Sequence, residues 1–149
     1  FKICAQLIEA GVNADKIQGL IFNSLPKKNL DLLGYCLNER MEILPELKTG
    51  IISLTKKDYE DFDIQRGDTE GIVNYLLMLK EVDIAAFVSE QPKIVKLSLR
   101  SKGDFAVNEI ANKHFKGGGH KNAAGGASFS GLKSTINKLK RILKEEVGE

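Results

Sequence analysis

The residues from Lys116 to Gly126, KGGGHKNAAGG, hold the most suggestive chemistry in the chain. Five glycines occupy the ten positions 117–126. Glycine takes positive φ readily and lets backbone approach a ligand with no Cβ in the way. Successive N–H groups exposed in such a turn make a nest for an anion. His120 and Lys121 add donors suited to phosphate oxygens, Asn122 lies in the same segment, and the small Ala123 and Ala124 allow close packing behind it. A helix cap followed by a loop would explain one glycine, but not three in a row and then His. Gly117, Gly118, Gly119, His120, Lys121 and Asn122 are therefore read as a phosphate-binding segment.

Charge agrees with that reading. Residues 56–90 carry four basic and nine acidic side chains, whereas residues 91–121 carry seven basic and two acidic ones. The basic block contains the glycine segment, and a local positive field favours a phosphate-bearing ligand. Over the whole chain, 22 Lys+Arg against 20 Asp+Glu leave only +2, which excludes a polycation of the histone kind.

The elements that must position this segment can be read from periodicity. Residues 84–89 are continuously apolar, and residues 94–100 alternate, with Val95, Leu97 and Leu99 on one side and Lys96, Ser98 and Arg100 on the other. The short break at Gln91-Pro92-Lys93 joins them as an antiparallel hairpin. Residues 50–55 form another strand, after which Thr55 caps a short helix to Phe62. Asp68 or Thr69 opens a helix to about Lys80. Residues 107–115 are helical, 127–130 a strand and 132–146 a closing amphipathic helix.

Before these, Phe1, Ala5 and Ile8 mark an apolar helix stripe, Asn13 caps a second helix to Phe22, and residues 29–46 read as one long helix with Leu30, Leu33, Leu37, Met41 and Leu44 inward. The predicted architecture is α/β, a mixed β-sheet flanked by helices. A first residue that is not Met, inside an apparent helix, suggests a C-terminal piece of a longer protein. Cys4 and Cys36 stand far apart with no metal-ligand spacing, which excludes a zinc ribbon, a redox CxxC pair and a disulfide scaffold and favours a reducing compartment. No apolar run approaches a membrane span, so a cytoplasmic protein without membrane partners is expected.

The run GGGHKNAAGG closely resembles the GGGH-x-x-AAG signature of the DHH-associated domain of DHH-family phosphoesterases. The order GDTEGIVNYLL, IAAFVSE, VKLSLRS and VNEIANKHFKGGGHKNAAGG is similar to the branch holding the nanoRNases that also dephosphorylate 3′-phosphoadenosine 5′-phosphate (pAp), alongside exopolyphosphatase-related proteins. The resemblance implies that residues 1–25 close the catalytic DHH domain, 26–47 form a linker helix, and 48–149 are the DHH-associated substrate-binding domain. It further implies that Arg100, with Ser98 on the same strand face, and the loop Gly117–His120 contact substrate phosphates. A planar guanidinium suits bidentate phosphate contact.

By the same resemblance the full-length enzyme hydrolyses short oligonucleotides or pAp with manganese. Its partners are the phosphate-bearing nucleotide and the DHH domain of its own chain, and a homodimer is compatible with it. A two-metal site needs clustered carboxylates and imidazoles. This sequence has two histidines and no DHH triplet, so no catalytic or metal-binding residue is assigned, and the chain alone is expected to be inactive. Two alternatives stand beside this reading: a non-catalytic nucleic-acid-binding module and a polyphosphate-hydrolysing protein. Against long-strand binding, the basic block contains only Phe105 and Phe115 as aromatics. Asp68, Glu70 and Asn74 either approach the cleft or are solvated acids and amides at a helix start; His114 is read as an ordinary helix-end residue.

Overall fold

The computed structural model describes residues 1–147. Its elements are α1 (Lys2–Glu9), α2 (Ala14–Phe22), α3 (Lys27–Glu39), β1 (Met41–Leu44), β2 (Thr49–Leu54), α4 (Lys56–Asp61), α5 (Ile72–Leu77), β3 (Ile84–Glu90), β4 (Val95–Ser101), α6 (Val107–His114), β5 (Gly118–His120), β6 (Ala123–Ser128) and α7 (Leu132–Val147). The six strands form one sheet in the order β1-β2-β3-β4-β6-β5. β2 and β3 are parallel, and every other neighbouring pair is antiparallel. A parallel pair cannot be closed by a tight turn, and the segment carrying α4 and α5 supplies the crossover.

Side-chain alternation divides the core between the two sheet faces. Ile51, Ala86, Val88, Leu97 and Leu99 pack with Val107, Ile110, Phe115, Leu139 and Leu143 under α6 and α7. On the opposite face Ile52, Leu54, Ala85 and Phe87 pack with Leu32, Cys36, Ile72, Val73 and Leu76 from α3 and α5. The mixed sheet with helices on both faces is the predicted α/β architecture. The predicted hairpin is β3–β4, and Gln91 N–H donates to the Ile94 carbonyl at 2.8 Å where it turns.

The capping predictions hold at Asn13, whose side chain accepts from Lys16 N–H at 2.8 Å, and at Thr55, which forms a reciprocal capping box with Asp58. Asp58 does more than cap. It accepts from the Tyr35 hydroxyl at 2.6 Å and pairs with Arg40 at 2.6 Å, tying the start of the crossover to α3. Burial alone would raise its carboxyl; the hydrogen bonds from Tyr35, Thr55 and Arg40 outweigh it and hold the group down at about 2.

Four elements differ from their sequence-based expectation. The helix expected over residues 29–46 ends at Glu39, and Met41–Leu44 instead form an edge strand paired with β2, from Met41↔Ile52 to Leu44↔Thr49. A short apolar run ending at Pro reads as helix or strand; pairing with the open edge of β2 satisfies its backbone groups. Within α3 the buried residues are Leu32 and Cys36, and Leu30 is exposed.

The second difference is α5, shorter than the predicted 68–80, because Gly71 sits at φ +82° and breaks any helix running through it. The third is the glycine segment, which is not a loop but the hairpin β5–β6, so the strand expected at 127–130 begins at Ala123. Last, the stripe of Phe1, Ala5 and Ile8 is exposed, and neither α1 nor α2 buries any residue. Among the described residues no helix is long and apolar enough to cross a membrane.

Candidate functional site

β4 carries the site because its two faces have different covers. Val95, Leu97 and Leu99 are buried on the α6–α7 side, while Lys96, Ser98 and Arg100 face the side where α5 covers only part of the sheet. The uncovered remainder is a cleft of about 650 Å³. Its floor is Phe87 and Ser89 of β3 with Lys96, Ser98 and Arg100 of β4. Its wall is the crossover, including Tyr59, Ile64, Arg66, Thr69, Glu70 and Val73.

The wall is a folded loop. Gly67 and Gly71 take φ +102° and +82°, which side chains rarely adopt. Between them Asp68 accepts from Gln65 N–H at 2.9 Å and from Lys28 at 2.9 Å, fastening the loop to α3. The Gln65 hydrogen bond first, and then the Lys28 ammonium, hold the Asp68 carboxyl below its ordinary range. Asp68 is thus a loop anchor, and of the three helix-start residues weighed from sequence, Glu70 lines the cleft while Asp68 and Asn74 do not.

Three cations line the cleft: Arg66, Lys96 and Arg100. Among the described residues none of them is held in an ion pair. Arg100 donates through one nitrogen to the Leu99 carbonyl at 2.9 Å, which fixes the guanidinium and leaves other donors of its fork for a ligand. Arg66 and Lys96 were not singled out from sequence. The signal available for Arg66 was its place in a glycine-bounded loop, and for Lys96 its shared strand face with Ser98 and Arg100.

The glycine hairpin continues the same sheet face. Ser98 pairs with Gly125 and Gly125 with Gly118; Arg100 pairs with Ala123 and Ala123 with His120. Directly opposed residues of antiparallel strands project to one side. Gly118 and His120 therefore stand on the face of Ser98 and Arg100, two strand spacings or roughly 10 Å away. Between them the floor is only hydrogen and methyl, at Gly125 and Ala123. Gly118 and His120 do not line the cleft itself; both are exposed on the same sheet face, edging a shallow trough of small residues beside it.

The neighbouring glycines have another task. A Cβ on Gly117 would lie 1.9 Å from the Gly125 carbonyl oxygen, and one on Gly119 would lie 2.5 Å from that of Ala123. These two permit close backbone approach inside the hairpin, whereas a Cβ on Gly118 would meet nothing within 4 Å. Lys121 and Asn122 form the turn. Lys121 pairs with Asp104 at 2.6 Å, lowering that carboxyl by hydrogen bond and charge. The Asn122 amide donates to Ser101 Oγ at 2.9 Å and to the Gly103 carbonyl at 3.0 Å. Both side chains hold the hairpin to the loop after β4, and neither lines the cleft.

The donors present do not fit a two-metal centre: among the described residues no three His, Cys, Asp or Glu side chains converge where an ion could be held. The arrangement offers instead what a phosphoester ligand needs, cations and backbone without a Cβ over a floor of small residues.

Comparison with known proteins places these features. A curated relative, the 3′,5′-cyclic-nucleotide phosphodiesterase of Helicobacter pylori, is 29% identical over 111 residues, 68% of this chain and 30% of that protein. The exopolyphosphatase-related protein of Bacteroides fragilis superposes with a TM-score of 0.91 at 34% identity, over 96% of this chain and 42% of that one. The pGpG-specific phosphodiesterase of Vibrio cholerae shares the fold, with a TM-score of 0.57 at 15% identity over 80% of this chain and 39% of its own. The chain spans less than half the length of each of these proteins. Residues 49–149, which include the whole cleft and the glycine hairpin, match the DHHA1 domain, and the chain belongs to that DHH-associated family.

Proposed function

We propose that this chain is the substrate-gripping part of a phosphoesterase acting on nucleotide phosphoesters. The observation that carries the reading is the group of cations Arg66, Lys96 and Arg100, none in an ion pair among the described residues, lining a cleft beside the sheet face that bears Gly118 and His120. A phosphate lying over Ala123 and Gly125 would meet charge on the β4 side and imidazole and bare backbone on the β5 side. Such a grip remote from the bond being broken contributes orientation, because a held phosphoester no longer loses that freedom on reaching the transition state. Bond cleavage, with the manganese that the resemblance implies, is assigned to a DHH domain outside this sequence. Residues 1–25 are proposed to belong to that domain and 26–47 to the connection. The greater length of the relatives supports this division.

Tyr59, Ile64, Val73 and Phe87 give the cleft an apolar side that a nucleoside can use and a bare polyphosphate cannot. This favours short oligonucleotides or pAp over polyphosphate, the second reading suggested by the Bacteroides relative. Calorimetric titration of the chain with pAp, a dinucleotide, a long single strand and tripolyphosphate tests the choice. Binding of pAp and the dinucleotide above the others supports the proposal. Preference for tripolyphosphate would replace it with the second reading, and preference for the long strand would identify a nucleic-acid-binding module.

A further inference from the structure

Glu70 is out of place in a cleft built for phosphate. It lines the same cavity as Arg66, Lys96 and Arg100, and its carboxylate accepts from no protein donor among the described residues. The other acids nearby are occupied: Asp68 holds Lys28 and Gln65, and Asp58 holds Arg40, Tyr35 and Thr55. An ionised carboxylate accepts hydrogen bonds at two oxygens and donates none. Beside a phosphate it repels, so its useful partner is a part of the ligand that carries donors.

The other lining residues say where that part lies. Glu70 comes from the crossover wall, as do Tyr59, Ile64 and Val73, and Phe87 lies on the floor beneath. Aromatic and aliphatic surface next to a carboxylate suits a flat heterocycle with polar hydrogens on one edge. Phosphate is left to Lys96, Ser98 and Arg100 on the floor, with Arg66 as a cation of the wall.

We infer that the wall side of the cleft is a nucleobase subsite in which Glu70 reads two adjacent N–H donors, so that a guanine edge, with its ring imide N–H and exocyclic amine, is preferred over adenine. The inference rests on the proposed phosphate-gripping role of the cleft and adds a base preference to it. Glu70 here is a specificity residue and takes no part in bond cleavage.

The test is calorimetric titration of the whole chain, wild type and Glu70→Gln, with guanosine monophosphate, its 2′-deoxy form, adenosine monophosphate and tripolyphosphate. For wild type the guanine nucleotides should bind about tenfold tighter than the adenine one, the discrimination given by one lost charge-assisted hydrogen bond. Glu70→Gln should erase that difference and leave tripolyphosphate as tight or tighter, since a repelling charge is removed. Equal guanine and adenine affinities in wild type, with tripolyphosphate still bound, would overturn the subsite and leave the phosphate grip standing. A preference that vanishes with the 2′-deoxy nucleotide would also overturn it, because Glu70 would then hold the ribose diol. If no phosphate ligand binds at all, the proposed function itself falls.

Discussion

Arg100 and His120 stand in one row across three strands, separated only by the methyl group of Ala123. One side chain is a fixed cation and the other an exposed imidazole, and the gap between them is floored by nothing that could exclude a phosphate. The pairing register, more than the composition of the glycine segment, puts the two on one face of the sheet.

Arg100→Ala should weaken pAp or dinucleotide binding by ~1.5–3 kcal/mol, the range for a charge-assisted hydrogen bond. Among the described residues its side chain bonds only the adjacent Leu99 carbonyl, so the melting temperature should hardly move. An unchanged dissociation constant by calorimetry would remove Arg100 from the site.

The three glycines of β5 and its approach should separate into two kinds. Gly118→Ala has open space for its methyl group and should fold normally, while nucleotide binding falls because that methyl group protrudes into the trough. Gly119 has φ +143° and Gly117 abuts the Gly125 carbonyl. Alanine at either position should cost roughly 1–3 kcal/mol of stability or more. Thermal melts of the three variants check the division, and equal melting temperatures would contradict it.

Stability should depend on Asp58 in acid. Its folded carboxyl titrates at about 2 against 3.8 when unfolded, so the contribution is complete above the unfolded value and disappears as pH falls towards the folded one. A shift of that size is about 2 kcal/mol. Near neutral pH, Asp58→Asn should cost about 3 kcal/mol by leaving Arg40 without its buried partner. Urea unfolding of both proteins across this range should show the difference shrinking as the solution is acidified. A gap that stays constant down to pH ~2 would mean that the charge of Asp58 is not what stabilises the fold.

The two thiols should react unequally. Cys4 is exposed, whereas burial, reinforced by the nearby Asp58 charge, pushes the Cys36 thiol up to about 12. Only a thiolate is an effective nucleophile. A chromogenic disulfide should titrate one thiol in the native protein and the second only in denaturant; two fast equivalents in the native state would contradict the packing of α3.

The sheet was legible wherever alternation was strict. Val95, Leu97 and Leu99 announced the buried face of β4 and so placed Ser98 and Arg100 together on the other. Met41–Leu44 misled because an apolar run of that length fits a helix or a strand, and the partner that decides, β2, is recognised only in three dimensions. The glycine segment stands out in the sequence, but composition does not sort its glycines. Gly117 and Gly119 are required by backbone contacts across a hairpin, and only register reveals those contacts. The cleft wall escaped for a similar reason. Arg66 and Tyr59 come from the crossover, which meets β4 only after β2 and β3 have paired in parallel.

That crossover separates two things that selection acts on. Residues 64–71 shape the cleft yet contribute no strand to the sheet. A loop hung from the scaffold in this way tolerates insertion and replacement far better than the strands beneath it. If the cleft holds the ligand as proposed, loop length and sequence can change its ligand range without altering the strands that carry Arg100 and His120. Exchanging this one loop between family members is the most economical way to exchange their preferences.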